Sequence, residues 1–148
     1  MEEHSKRWIS TVLSELEKLD NGKGKQILEN CGRSCSHLIG STTQAEAVRK
    51  LVGEYDLDEL LKEFKKNVFK ESPLYKKGNQ IILEHLHKEC PCPIVREVDV
   101  ENSFICNCTV GHTKSVFEAL LGKKLEVSLE KSNLRGDELC QLAINILN

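Results

Sequence analysis

Through the first half of the chain, apolar residues recur three and four positions apart, the period of amphipathic helices. Trp8, Ile9, Val12, Leu13, Leu16 and Leu19 form one such stripe, which Asp20-Asn21-Gly22 ends. A second helix is predicted over 23–38, with Ile27, Leu28, Cys31 and Cys35 inward. Gly40-Ser41-Thr42-Thr43 breaks it. Thr43 is expected to cap a short helix through Leu51, and Gly53 to stop it. Asp56 or Asp58 opens a fourth helix, whose buried side is Leu57, Leu60, Leu61 and Phe64.

The pattern changes after Pro73. Residues 76–79 read as a turn and 80–87 as a strand. A proline-rich loop carries Cys90-Pro91-Cys92-Pro93, and 99–103 is a second loop. Residues 104–108 are predicted as a short strand or an extended approach to a helix over 111–121. Val116, Phe117, Leu120 and Leu121 face inward on that helix, and Gly122 ends it. Residues 125–130 alternate in polarity as a half-buried strand does, and 133–137 form a hairpin connection. A last strand over 139–147 puts Cys140, Leu142, Ile144 and Ile146 on its apolar face. The predicted class is α+β: a helical N-terminal half packed on a small antiparallel sheet with one intervening helix. Residues 1–148 read as one domain, with 1–70 helical and 78–148 mixed.

Composition narrows the function. A chain of 148 residues can bury a core without covalent staples. Its formal net charge is −2 with both signs mixed, so no nucleic-acid partner is expected. Lys62-Glu63-Phe64-Lys65-Lys66 reads as a solvated helix face. No apolar run approaches the ~20 residues of a membrane span. The first residues hold acidic side chains and no signal-peptide core, which points to a cytoplasmic protein with reduced thiols. A homodimer stays open as an assembly state.

Seven cysteines then carry the candidate chemistry, and an odd count argues against a complete disulfide framework. In an extended segment, residues i and i+2 point the same way, so C-P-C (Cys90, Cys92) and C-N-C (Cys106, Cys108) each offer two sulfurs to one side. Together they would make a four-sulfur site, suited to zinc or to an iron–sulfur cluster. Redox or nucleophilic thiol chemistry and simple burial of free thiols are the alternatives. Cys31 and Cys35 lie four apart on a helix, with Arg33 between them to favour thiolate. They suit two ligands of one metal, one half of a larger cluster with Cys140, or a helix packing two small residues inward. His85 and His87 share one face of the strand leading to C-P-C, as ligands or as its polar side. Cys108 and His112 are spaced as a minimal nucleophilic dyad, with Asp99, Glu101 and Asn102 as possible orienters.

The run Cys106-x-Cys108-x-x-Gly111-His112, then residues 116–123, Leu125-Glu126-Val127 and Arg135-Gly136-Asp137-Glu138-Leu139-Cys140, resembles the C-terminal part of 4-vinyl reductase domains. Those are small α+β sensor modules of phenol-responsive regulators, related to bacterial haem-NO-binding and vesicle-tethering folds. The resemblance implies a zinc ion beside an apolar ligand pocket, with Cys106 or Cys108 and Cys140 among its ligands. Ser132 stands near the place of a further family cysteine, which Cys90 or Cys92 would replace. Most of the chain also resembles a cysteine-rich group of uncharacterised proteins from anaerobes. The shared elements are Cys31-Gly32-Arg33-Ser34-Cys35, Cys90-Pro91-Cys92-Pro93, Cys106-Asn107-Cys108-Thr109-Val110-Gly111 and Cys140. Some of that group are described as hydrolases of 2-aminothiazoline-4-carboxylic acid.

The expected function is a zinc-binding small-molecule sensor or ligand-binding module. Its metal ligands would be Cys106 or Cys108 with Cys140, completed by Cys90 and Cys92; Cys31, Cys35, His85 and His87 are further candidates. The ligand would be small and apolar, or amino-acid-like. A thiol- or zinc-dependent hydrolase and an iron–sulfur protein are the alternatives.

Overall fold

Four helices build the N-terminal half: α1 (Glu2–Glu17), α2 (Lys23–Leu38), α3 (Ser41–Val52) and α4 (Leu57–Asn67). The computed structural model describes residues 2–54, 56–86, 90 and 92–147. Asn21 (φ 58°) and Gly22 (φ 69°) turn the chain between α1 and α2 in the left-handed region that Asp20-Asn21-Gly22 suggests. Gly40, at φ 82°, takes the N-cap place of α3 expected of Thr43, and Thr42 is buried against Ser36 with hydroxyls 3.2 Å apart. Asp56 caps α4 by accepting the Asp58 N–H at 3.1 Å.

The sheet contains β1 (Leu74–Lys77), β2 (Gln80–His85), β3 (Leu125–Lys131) and β4 (Cys140–Ile146), in the order β1-β2-β4-β3 and antiparallel throughout. Strand β1 occupies part of what reads as a turn. It is an edge strand with one buried side chain, Leu74, so it carries no apolar alternation. Between β2 and β3 run a short helix α5 (Pro93–Val98) and the long α6 (Asn107–Leu121). Pro93 starts α5, where its fixed φ suits the first helical turn.

The expected extended segment at 104–108 is not found. Asn102 accepts the Phe104 N–H at 2.9 Å and starts a 3₁₀ turn, Ser103–Cys106, that runs directly into α6. Cys106 and Cys108 are therefore both in helical backbone.

Two apolar clusters result. The larger packs the helix-facing side of the sheet (Ile81, Leu83, Leu142, Ile144) under α3, α4 and α6. Phe64 lies edge-on to Phe117 and to Phe69, with centroids 5.5 and 5.2 Å apart. Fully burying each such side chain contributes about 1.5–3 kcal/mol. The smaller cluster joins Leu13 of α1, Leu28 of α2, Val95 of α5, Val100 and Ile105. Only Leu13 of the α1 stripe is fully buried; Trp8 and Leu19 are exposed, because α2, α5 and the turn before α6 cover only one strip of α1.

Candidate functional site

Helices α2 and α6 touch backbone to backbone. A Cβ at Gly32 would lie 1.8 Å from the Cys108 carbonyl oxygen, and one at Gly111 would lie 1.9 Å from that of Glu29. The buried positions of α2 are Gly24, Leu28, Gly32 and Ser36, one every fourth residue. This corrects the expected inward face: Leu28 is inward, but Ile27, Cys31 and Cys35 are exposed. Small residues let the helices approach, and the larger ones rotate to the edges. On one edge Arg33 forks onto Glu118 at 3.0 and 3.2 Å, and Glu29 lies 3.9 Å from Lys114. Helical geometry puts Cys31 and Cys35 on the other edge. Arg33 is thus committed to Glu118 rather than to the cysteines beside it.

The C-N-C pair is split by the same helix. Two positions along a helix rotate a side chain by roughly 200°. Cys106 points to the connection between β3 and β4, where its Sγ lies 3.3 Å from Ser132 Oγ. Cys108 sits at the α2 crossing. Cys140, on the apolar face of β4 as the alternation implies, donates its S–H to Asn133 Oδ1 at 3.1 Å and accepts the Asn133 N–H at 3.5 Å. Ser132 and Asn133 thereby bring Cys106 and Cys140 together. Cys90 and Cys92 pack on the smaller cluster beside them, and the electrostatic neighbours of the Cys90 thiol are Cys92, Cys106 and Cys140. Cys108 in turn has Cys31, Cys92, Cys35 and Cys106 as neighbours. The seven cysteines, dispersed along the sequence, thus lie within electrostatic range of one another in overlapping groups rather than in one converged cluster.

Burial sets the charge state of these groups. It pushes the Cys90 and Cys106 thiols above their ordinary range, reinforced by the other thiols, while the Ser132 hydroxyl opposes the rise at Cys106. Burial and then Cys31 push Cys108 up to about 12. Burial also lowers His112, which favours the neutral ring. The Cys108–His112 pair therefore stands as neutral thiol and neutral imidazole. Its expected orienters are engaged elsewhere: Asp99 and Glu101 face Lys6 at 3.0 and 3.8 Å, and Asn102 caps the Phe104 N–H.

His85 lies opposite Cys140 in the β2–β4 register, with its Nδ1 3.4 Å from Ser72 Oγ and its ring edge-on to Phe69. His87 falls outside the described residues. Among the described residues, no three His, Cys, Asp or Glu side chains converge closely enough to hold a metal ion as placed. A cleft of about 670 Å³ opens beside the thiols, lined by Cys90, Val95, Arg96, Val100, Asn133 and Leu134 among others.

Sequence reasoning named Gly32, Gly111 and Ser132 only as motif positions and missed that they, with Asn133, position the thiols. A signal existed for the glycines. Glycine inside a helix costs about 1 kcal/mol against alanine, so two in facing helices suggest a close crossing. For Ser132 the cue was its place near a further family cysteine in the resemblance to 4-vinyl reductase domains; Asn133 had none.

The architecture is shared with proteins of quite different sequence. The fold is similar to that of trafficking protein particle complex subunit 3 from Naegleria fowleri, whose crystal structure is covalently bound to palmitic acid. That similarity has 14% identity and a TM-score of 0.56, and covers 99% of this chain and 95% of that one. It is also similar to the phenol-responsive sensory domain of the transcription activator PoxR with phenol, at 11% identity and a TM-score of 0.53, covering 97% of this chain and 74% of that one. At these identities the likeness is one of fold. No curated protein sequence matches the chain. Residues 1–148 match the family of unknown function DUF6144, and the chain belongs to that family.

Proposed function

We propose that this protein is a cytoplasmic small-molecule-binding module in which Cys90, Cys92, Cys106 and Cys140 hold a zinc ion at the edge of the ligand cleft. The observation that carries this reading is the Ser132-Asn133 corner, which brings Cys106 and Cys140 together beside the C-P-C segment. Four thiols match zinc in donor type and number, although the side chains as placed do not yet converge. Bound zinc would supply a closed crosslink, with the metal–ligand bonds offsetting deprotonation of the buried thiols. Closing the set requires the 90–92 segment to move toward the corner. Cys90 lines the cleft, so ligand and metal would be felt by the same segment. The palmitic acid and phenol held by the two structural neighbours support a small apolar ligand. The motif resemblance to 4-vinyl reductase domains supports a sensory role.

Anaerobic purification followed by elemental analysis and thiol titration, before and after unfolding, tests the metal. About one zinc per chain, with Cys90, Cys92, Cys106 and Cys140 masked until unfolding, is the expected result. Stoichiometric iron with visible absorbance would assign a cluster instead, and no metal with every thiol reactive on unfolding would contradict both readings. Phenol titration monitored by calorimetry tests the ligand class.

A second reading is a hydrolase of a small amino-acid-like substrate. It rests on Cys108 and His112 standing one helical turn apart near the start of α6, where a neutral His112 can accept a proton. Its thiol must first be brought down from about 12. Loss of turnover of 2-aminothiazoline-4-carboxylic acid in Cys108→Ser, with an unchanged melting temperature, would support it.

A further inference from the structure

Away from the thiols, a polar cleft of about 680 Å³ lies between α2, α6 and the strands β3 and β4. In its wall Glu29 of α2 and Lys114 of α6 face each other, with Oε2 and Nζ 3.9 Å apart. A charge-assisted hydrogen bond needs about 2.7–2.9 Å, so the two charges attract without bonding. Their side chains are only 24% (Lys114) and 17% (Glu29) exposed, and neither makes a side-chain hydrogen bond among the described residues. Charges withdrawn from water need hydrogen bonds as well as a counter-charge. The pair therefore presents free carboxylate lone pairs and free ammonium donors to the cleft. The backbone beneath it is fixed. The Glu29 carbonyl oxygen stands against Gly111, and Lys114 follows one turn along α6. Rigid elements position binding groups better than loops do.

We propose that this cleft binds a small zwitterion, a free α-amino acid, with its carboxylate on Lys114 Nζ and its ammonium on the Glu29 carboxylate. The charge balance selects that class. Lys25 and Glu126 are the other charged residues of the lining, both exposed and in no ion pair among the described residues. Two cations and two anions favour neither a simple anion nor a simple cation, whereas a ligand carrying both charges meets a partner at each end. Gln26 and Asn145 add side-chain amides that make no hydrogen bond among the described residues. They suit a polar ligand, in contrast to the apolar walls that Val95 and Val100 give the Cys90 cleft. The two clefts share no lining residue, and this one needs neither metal nor thiol.

A screen of the full chain against each common L-amino acid, read by melting temperature and followed by calorimetry on those that raise it, tests the proposal. At least one amino acid is expected to bind. Its N-acetyl derivative, which lacks the ammonium, and its carboxamide, which lacks the carboxylate, are each expected to bind about tenfold more weakly or worse. Glu29→Gln, close in shape, is expected to weaken the free amino acid by a similar factor; Lys114→Gln repeats the test from the other helix should that variant not fold. Absence of binding by every amino acid overturns the proposal. Equal binding of either derivative overturns zwitterion recognition. Binding that survives both Glu29→Gln and Lys114→Gln unchanged places the amino acid elsewhere and overturns this site. The Cys90 cleft and its zinc are untouched by any of these results.

Discussion

The two apolar clusters are built on different terms. The larger one holds three mutually packed or near-packed phenylalanines, Phe64, Phe69 and Phe117, and four strands' worth of branched side chains under three helices. No cysteine belongs to it. The smaller one joins single residues from α1, α2, α5 and the segments around the turn before α6, and thiols fill its margins. A core of many mutually packed side chains gains enough from burial to stand alone. A core of five buried side chains gains much less and has room for polarizable thiols at its margin. The stable half is thus a platform, and the thiol-bearing half is where binding can alter local stability.

The sharpest way to break that division is to open the larger core. Phe117→Ala is expected to cost about 3–5 kcal/mol, because its side chain is fully buried among Phe64 and the sheet. Denaturant unfolding measures this, and a cost below 1 kcal/mol would deny the platform role. Gly32→Ala comes next. Alanine is the better helix former, yet its methyl would meet the Cys108 carbonyl oxygen, so a net loss of about 1–3 kcal/mol is expected. A stabilised Gly32→Ala protein would mean that α2 and α6 are not in contact.

Removal of one pair on the opposite edge should matter less. Arg33 and Glu118 are partly exposed, so Arg33→Ala is expected to cost about 1 kcal/mol or less. A double-mutant cycle with Glu118→Ala isolates the pair. The smallest effect is a pH dependence from His112. Its folded-state pKa is lowered by burial, so the unfolded chain binds its proton first. Stability from this group is complete above the unfolded value of about 6.5 and falls as pH drops through that value toward the lower folded one. His112→Gln should flatten the stability curve on the acid side of about pH 6.5. An unaltered curve would place His112 in solvent.

Much of the helical half was legible because its apolar residues repeat with helical period; the span predicted for α2 is the one observed. Its facing was not legible. Gly24, Gly32 and Ser36 form the contact surface and carry no hydrophobic signal, whereas Ile27, Cys31 and Cys35 carry one and are exposed. The apolar alternation of β4 correctly put Cys140 inward. The C-N-C motif misled for a local reason: a C-x-C pair shares a face only in extended backbone, and the Asn102 cap makes this one helical. That change sends Cys106 and Cys108 to different partners. The approach of Cys106 to Cys140 came from motif resemblance, since no local pattern links residues on either side of a whole hairpin arm.

Hydrogen–deuterium exchange of the metal-free chain, with and without one equivalent of zinc, tests the division most directly. Protection is expected in residues 90–106 and 132–140, with the amides of α4 and the centre of β4 already slow and unchanged. Uniform protection across both clusters, or none around Ser132 and Asn133, would contradict it.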